Sequence, residues 1–167
     1  MVNGEFITNY PGYFILGVAI MSNLLAQLLK FLTYRILNNA WSFEVLFSTG
    51  GMPSSHTAFV VSALISVGIT KGVDSAIFAV SFILTAVVVH DALGVRRHAG
   101  KQAHVLNNVV KDFLELTDFL QQDKKYDSVA YQQKLKEFLG HEPIEVIGGA
   151  VLGIIITVGS YLLLNNY

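Results

Sequence analysis

The chain has 167 residues, of which 53% are hydrophobic and only 14% charged. A soluble domain carries about a quarter charged residues, so a mean hydropathy of +0.53 points to an integral membrane protein of one domain. The formal charge of −1, without a single-sign run, offers nothing to nucleic acid, and the absence of cysteine excludes disulfides and thiol chemistry.

In chain order, four segments are apolar enough to cross or nearly cross a bilayer, which takes about 20 residues of helix. The N-terminus has Glu5, no basic n-region and no small-residue cleavage site, so the first apolar segment reads as a span rather than a secretory leader. That span runs from Tyr13 to Phe31 and carries Asn23 and Gln27, spaced for one helix face and suited to interhelical hydrogen bonds. The second span opens at Ser54 or Ser55 and continues to Thr70. A Lys71-Gly72-Val73-Asp74 turn leads to the third, Ser75 to Leu93, and so short a connection makes the two an antiparallel hairpin. His90 and Asp91 close the third span, with Asp91 suited to supporting a nearby arginine.

From Val105 to Leu120 apolar residues recur at helical spacing, with Lys111, Asp112, Glu115 and Asp118 opposite. Polar residues from Gln121 to Asp127 end that helix, and a shorter amphipathic helix follows over Ser128 to Leu139. Both are expected on the membrane surface or against a partner subunit. The fourth span runs from Ile144 to Leu164. The expected architecture is therefore all-α: one membrane domain over residues 1–167, four spanning helices, and residues 97–140 as a cytoplasmic insertion carrying two amphipathic helices.

Four spans put the first and third connections on one side and both termini on the other. All Lys and Arg except Lys71 then fall on the first side, which the positive-inside rule makes cytoplasmic. The same topology gathers Lys30, the loop Gly50 to His56, Arg96, Arg97 and His141 at that face, a convergence that points to a site. Taken alone, Gly50-Gly51-Met52-Pro53-Ser54-Ser55-His56 is either a simple N-capped helix start or an anion site, where free N–H groups and the helix dipole favour a phosphate. Lys30 is either a snorkelling span-end lysine or a phosphate ligand.

These residues carry a resemblance. Pro53-Ser54-Ser55-His56 is similar to the Pro-Ser-Gly-His motif of the type 2 phosphatidic acid phosphatase superfamily, which includes vanadium haloperoxidases. Gly140-His141-Glu142-Pro143-Ile144-Glu145-Val146, followed by Gly148, Gly149 and Gly153, resembles its last motif, Gly-x-His-x-x-x-Asp-Val with trailing glycines. Together with Asp91-Ala-Leu-Gly-Val-Arg-Arg97, these stretches resemble the divergent membrane branch of that superfamily over nearly the full length. The chain departs from the superfamily pattern in four ways. Ser55 stands for glycine, Glu145 for aspartate, more than forty residues separate Arg97 from His141, and the first motif's downstream Arg-Pro is missing.

The resemblance implies metal-independent hydrolysis of a lipid phosphate or pyrophosphate through a phosphohistidine, with no cofactor. It makes His141 the nucleophile, Glu145 the acceptor that orients its ring, and His56 the general acid and base. Lys30, Ser54, Ser55 and one of Arg96 and Arg97 become phosphate ligands. A rival pairing uses Arg97, His104 and Asn108, one residue too long for the superfamily's short spacing and with a neutral Asn in place of the carboxylate. The alternative function is non-catalytic binding or carriage of an anionic lipid in the same pocket. Four spans are fewer than the six helices of a complete superfamily phosphatase, and the glycines of the last span allow close packing, so a homodimer that completes the bundle is also expected.

Overall fold

A computed structural model describes residues 7–39, 51–120 and 143–165. The described residues are all helical, without strands, and the protein is a helical membrane protein. Its helices are α1 (Pro11–Asn38), α2 (Ser55–Lys71), α3 (Ala76–Leu93), α4 (Val95–Leu120) and α5 (Pro143–Asn165). Three of them, α1, α3 and α5, are long and apolar enough to cross a membrane; α2, at 17 residues, is the shorter fourth. The expected second amphipathic helix, over 128–139, lies outside the described residues.

Helix ends follow local chemistry. Pro11 occupies the first turn of α1, where its missing N–H costs nothing, and Asn39 closes the helix in the left-handed conformation at φ 52°. Ser54 and Ser75 cap α2 and α3, their hydroxyls accepting from the Thr57 and Phe78 amides. Gly72, at φ +84°, makes the turn between them.

The short helix α2 sits at the centre, packed by α1, α3 and α5. Its buried positions are small or hydroxylated: Ser55, Thr57, Ala58, Ser62, Ser66 and Val67. In hydrocarbon, apolar surface gives helices no reason to prefer one another over lipid, so close backbone approach and hydrogen bonds must hold them. Hydroxyls along this seam satisfy themselves on helix carbonyls, Ser66 on Ser62 at 2.7 Å and Thr70 on Ser66 at 2.8 Å. Two reach across: Thr85 of α3 to the Val60 carbonyl at 3.2 Å, and Thr157 of α5 to the Ser62 carbonyl at 3.4 Å.

The trailing glycines of α5 bring it against α2. A methyl group added at Gly149 would collide with the Ser54 carbonyl oxygen, and one at Gly153 would stand 2.7 Å from the Ala58 carbonyl. Gly149 lies on Ser54 and Thr57, Gly153 on Ala58 and Ser62, so the two helices run parallel and begin side by side. The close packing expected of these glycines is thus found within one chain, between α5 and α2.

At the opposite end, Ile7, Phe14 and Val18 form an apolar cluster against Ile156, Tyr161 and Leu164 of α5. On α3, Ile77, Val80, Phe82, Ile83, Leu84 and Val87 are exposed, the outer face of a span that meets lipid. Only Gly94 separates α3 from α4, which starts at Val95, ahead of the Val105 where the apolar spacing begins, so Arg96 and Arg97 stand inside a helix. His98 is likewise helical and exposed. Helix α4 is amphipathic as predicted, exposing Val105, Val109 and Phe113, while Lys111 and Glu115 pair at 3.5 Å.

Candidate functional site

Among the described residues Lys30 is the charged side chain that is fully buried. On α1 the buried positions Ser22, Ala26 and Lys30 recur every four residues, one stripe of the helix that is turned inward. Lys30 is 2% exposed, so it does not snorkel to the surface. Gly51, at φ +104°, lies directly over its stem, and an added methyl there would stand 3.1 Å from both Cγ and Cδ of Lys30. Glycine is required at this position twice over, by the backbone conformation and by the close approach. Thr33, one turn further, ties α1 to the same loop by donating to the Met52 carbonyl at 2.7 Å.

Around Lys30 stand the first turns of two helices. The Ser54 amide donates to the Glu145 carbonyl at 2.9 Å, linking the cap of α2 to the first turn of α5. Met52 and Pro53 pack on Gly148. Two parallel helices thus present their N-termini together, where unbonded N–H groups and the dipoles concentrate positive potential. The Glu145 carboxylate supplies negative charge within electrostatic reach of Lys30. A buried ammonium is costly without such compensation.

Ser54 and Ser55 divide the work of the loop. Ser54 is fully buried, and its Oγ accepts from the Thr57 hydroxyl at 3.0 Å and, more weakly, from the Thr57 amide at 3.4 Å. That leaves the Ser54 proton to be donated elsewhere. Ser55, also buried, is turned toward α1, where Gln27 Nε2 donates to its Oγ at 3.0 Å and Asn23 Nδ2 to its carbonyl at 3.4 Å. The interhelical role expected of Asn23 and Gln27 is thereby observed, and its target is the motif loop itself.

The remaining predicted residues divide into three groups. His56, second residue of α2, is exposed, and Glu145, third residue of α5, is half-buried beside the loop. Asp91 is half-buried in the last turn of α3; Arg96 and Arg97 follow in α4, and their side chains lie outside the described set, as do Gly50 and His141. The rival residues His104 and Asn108 face each other at 3.2 Å on the exposed side of α4. Of the predicted cluster, then, Lys30, Ser54, Ser55, His56 and Glu145 come together at one end of the bundle. Gln27 joins them as a residue not singled out for the site, although its spacing of three from Lys30 already placed it on the same face.

Comparison with known proteins follows the same residues. A model of the divergent PAP2 family matches residues 13–156. The chain belongs to that family. It is 42% identical over 153 residues to the uncharacterized membrane protein YuiD of Bacillus subtilis, covering 92% of this chain and 94% of YuiD. No solved structure matches it. The matched span takes in Lys30, the Gly51–His56 loop and Glu145 together with all but the last nine residues of α5.

Proposed function

We propose that the protein is a metal-independent lipid phosphatase acting on a phosphate monoester or pyrophosphate at the cytoplasmic membrane face. The observation that carries the reading is the buried Lys30, roofed by Gly51, beside two helix N-termini that start together. A bilayer protein gains no packing from a buried amine that an apolar side chain would not supply. What the amine and the N–H groups supply is a site for a dianion. Family membership supports the phosphoryl chemistry.

In this reading Lys30, the Ser54 hydroxyl and the N–H groups of Ser55 and His56 hold the phosphate oxygens, with Arg96 or Arg97 completing the set and Asp91 supporting it. His141, two residues before the start of α5, attacks phosphorus through one ring nitrogen while Glu145 accepts the proton of the other. The nitrogen–phosphorus bond forms as the bond to the lipid oxygen breaks, and His56 delivers its proton to that oxygen. Water then gives a proton to His56 and attacks phosphorus. The nitrogen–phosphorus bond breaks, its electron pair returns to the ring, and phosphate leaves. Positive charge fixed in advance stabilises the growing charge on the equatorial oxygens. The exposure of His56 suits a group that meets both the leaving lipid oxygen and water. The basic side is cytoplasmic in this reading, with both termini outside and residues 97–140 forming the cytoplasmic insertion.

The test is phosphate release by the purified full chain from a panel of lipid phosphates, with His56→Ala and His141→Ala beside it. Each substitution is expected to cost at least about a hundredfold in rate. Release unchanged by both overturns the mechanism. Tight anion binding with no release at all would leave a carrier instead of an enzyme.

A further inference from the structure

We infer that Gln27 is a positioning residue of the anion site, holding the Ser55 hydroxyl in the α1–α2 interface so that the first turn of α2 presents backbone, not side chain, to the phosphate. The inference rests on the phosphatase or binder reading of that site. Its starting point is the Pro53-Ser54-Ser55-His56 loop, in which the third residue carries a side chain where the proposed site brings backbone close to an anion. A free hydroxymethyl group there would occupy space next to the ligand and compete for the N–H groups of its own helix turn. The structure removes it from contention. Ser55 is 1% exposed, its Oγ receives the Gln27 amide at 3.0 Å, and its carbonyl receives Asn23.

The donor comes from the same stretch of α1 that supplies Lys30, three residues later and on the same face. One rigid helix therefore sets both the cation and the orientation of the N–H groups that oppose it. Asn23 and Thr33 also reach from α1 to this loop, but onto the carbonyls of Ser55 and Met52, whereas the bond from Gln27 to Ser55 joins two side chains across the α1–α2 interface. Among the described residues Gln27 Oε1 is buried without a partner, so Ser55 is the anchor that fixes the amide. A glutamine kept in a membrane interior merely to glue two helices would be expected to engage both ends of its amide.

The test is a double-mutant cycle read by orthophosphate and orthovanadate binding to the detergent-purified full chain, with thermal stability measured alongside. Gln27→Leu is expected to weaken anion affinity about fivefold to tenfold, the scale of one lost hydrogen bond. In a Ser55→Gly background, where no side chain needs holding, the same substitution is expected to change affinity less than about twofold. Gln27→Asn, which keeps an amide one methylene too short to reach, serves where the leucine variant does not fold, and the same cycle is expected from it. A defect that persists undiminished in the Ser55→Gly background, or tracks only the loss of thermal stability, makes Gln27 ordinary interhelical glue and overturns the inference. So does unchanged affinity in Gln27→Leu. If the unmodified chain binds neither anion, this inference falls together with the site reading; if it binds them and the cycle shows no coupling, this inference alone falls.

Discussion

The two ends of the bundle are closed by opposite means. At one, α1 and α5 meet through an apolar cluster of Phe14, Val18, Ile156, Tyr161 and Leu164, with Ile7 added. At the other, the same two helices enclose α2 through Lys30, Gln27, Ser54, Ser55 and Gly149. At the first end apolar side chains join these helices. The polar end is built differently, and its amine, amides and hydroxyls call for a chemical explanation. The difference separates residues that hold the bundle together from residues that the bundle holds in place.

The comparison breaks first at the glycines. Gly149→Leu drives a side chain into the Ser54 backbone, which cannot yield as a flexible side chain would, and the expected cost exceeds about 3 kcal/mol. Gly159 has nothing within 4 Å of an added methyl, so Gly159→Ala on the same helix is expected to change the unfolding midpoint by no more than a degree or so (about 0.5 kcal/mol or less). Detergent melting of the two variants checks the pair.

Next, Lys30→Met and Phe14→Ala should dissociate function from stability. Replacing the buried ammonium with an apolar chain of similar length is expected to leave the melting temperature level or raised, while phosphate release falls about a hundredfold or more. Phe14→Ala is expected to cost about 3 kcal/mol of stability, with the Michaelis constant for the lipid phosphate unmoved. Collapse of the Lys30→Met fold would reassign Lys30 to structure.

The smallest effect sharpens the account at mid-bundle. Ser22 is fully buried, and among the described residues its Oγ has no hydrogen-bond partner. Ser22→Ala removes an unsatisfied hydroxyl and is expected to be neutral or to stabilise by up to about 1 kcal/mol. Destabilisation in the same melting assay would point to a ligand or water held there.

Much of this was legible in the sequence because length, caps and turns are local properties. The apolar runs gave the spans, Ser54 and Ser75 the starts of α2 and α3, and Lys71 to Asp74 the turn between them. The rotation of each helix was not legible. In a span that is apolar nearly all round, such as α3, hydropathy carries no signal for which face meets protein and which meets lipid. The sequence likewise leaves Lys30 either snorkelling or a phosphate ligand, and its burial under Gly51 excludes the snorkelling. The glycines of α5 announced a close contact but not with which partner, since Gly149 and Gly153 suit a second copy as well as α2. The apolar periodicity of α4 begins only at Val105, so the pattern gives no signal for its first ten residues, whereas the helix starts at Val95.

The most direct test of the central claim is to trap the phosphoryl group. The full chain is incubated with a lipid carrying radiolabelled phosphate, quenched under alkaline conditions, and examined for label on the protein that alkali spares and acid removes, as a phosphohistidine requires. The account predicts such label on the unmodified chain and its loss in His141→Ala. Label that persists in His141→Ala, or substrate turnover without any labelled protein, would contradict it.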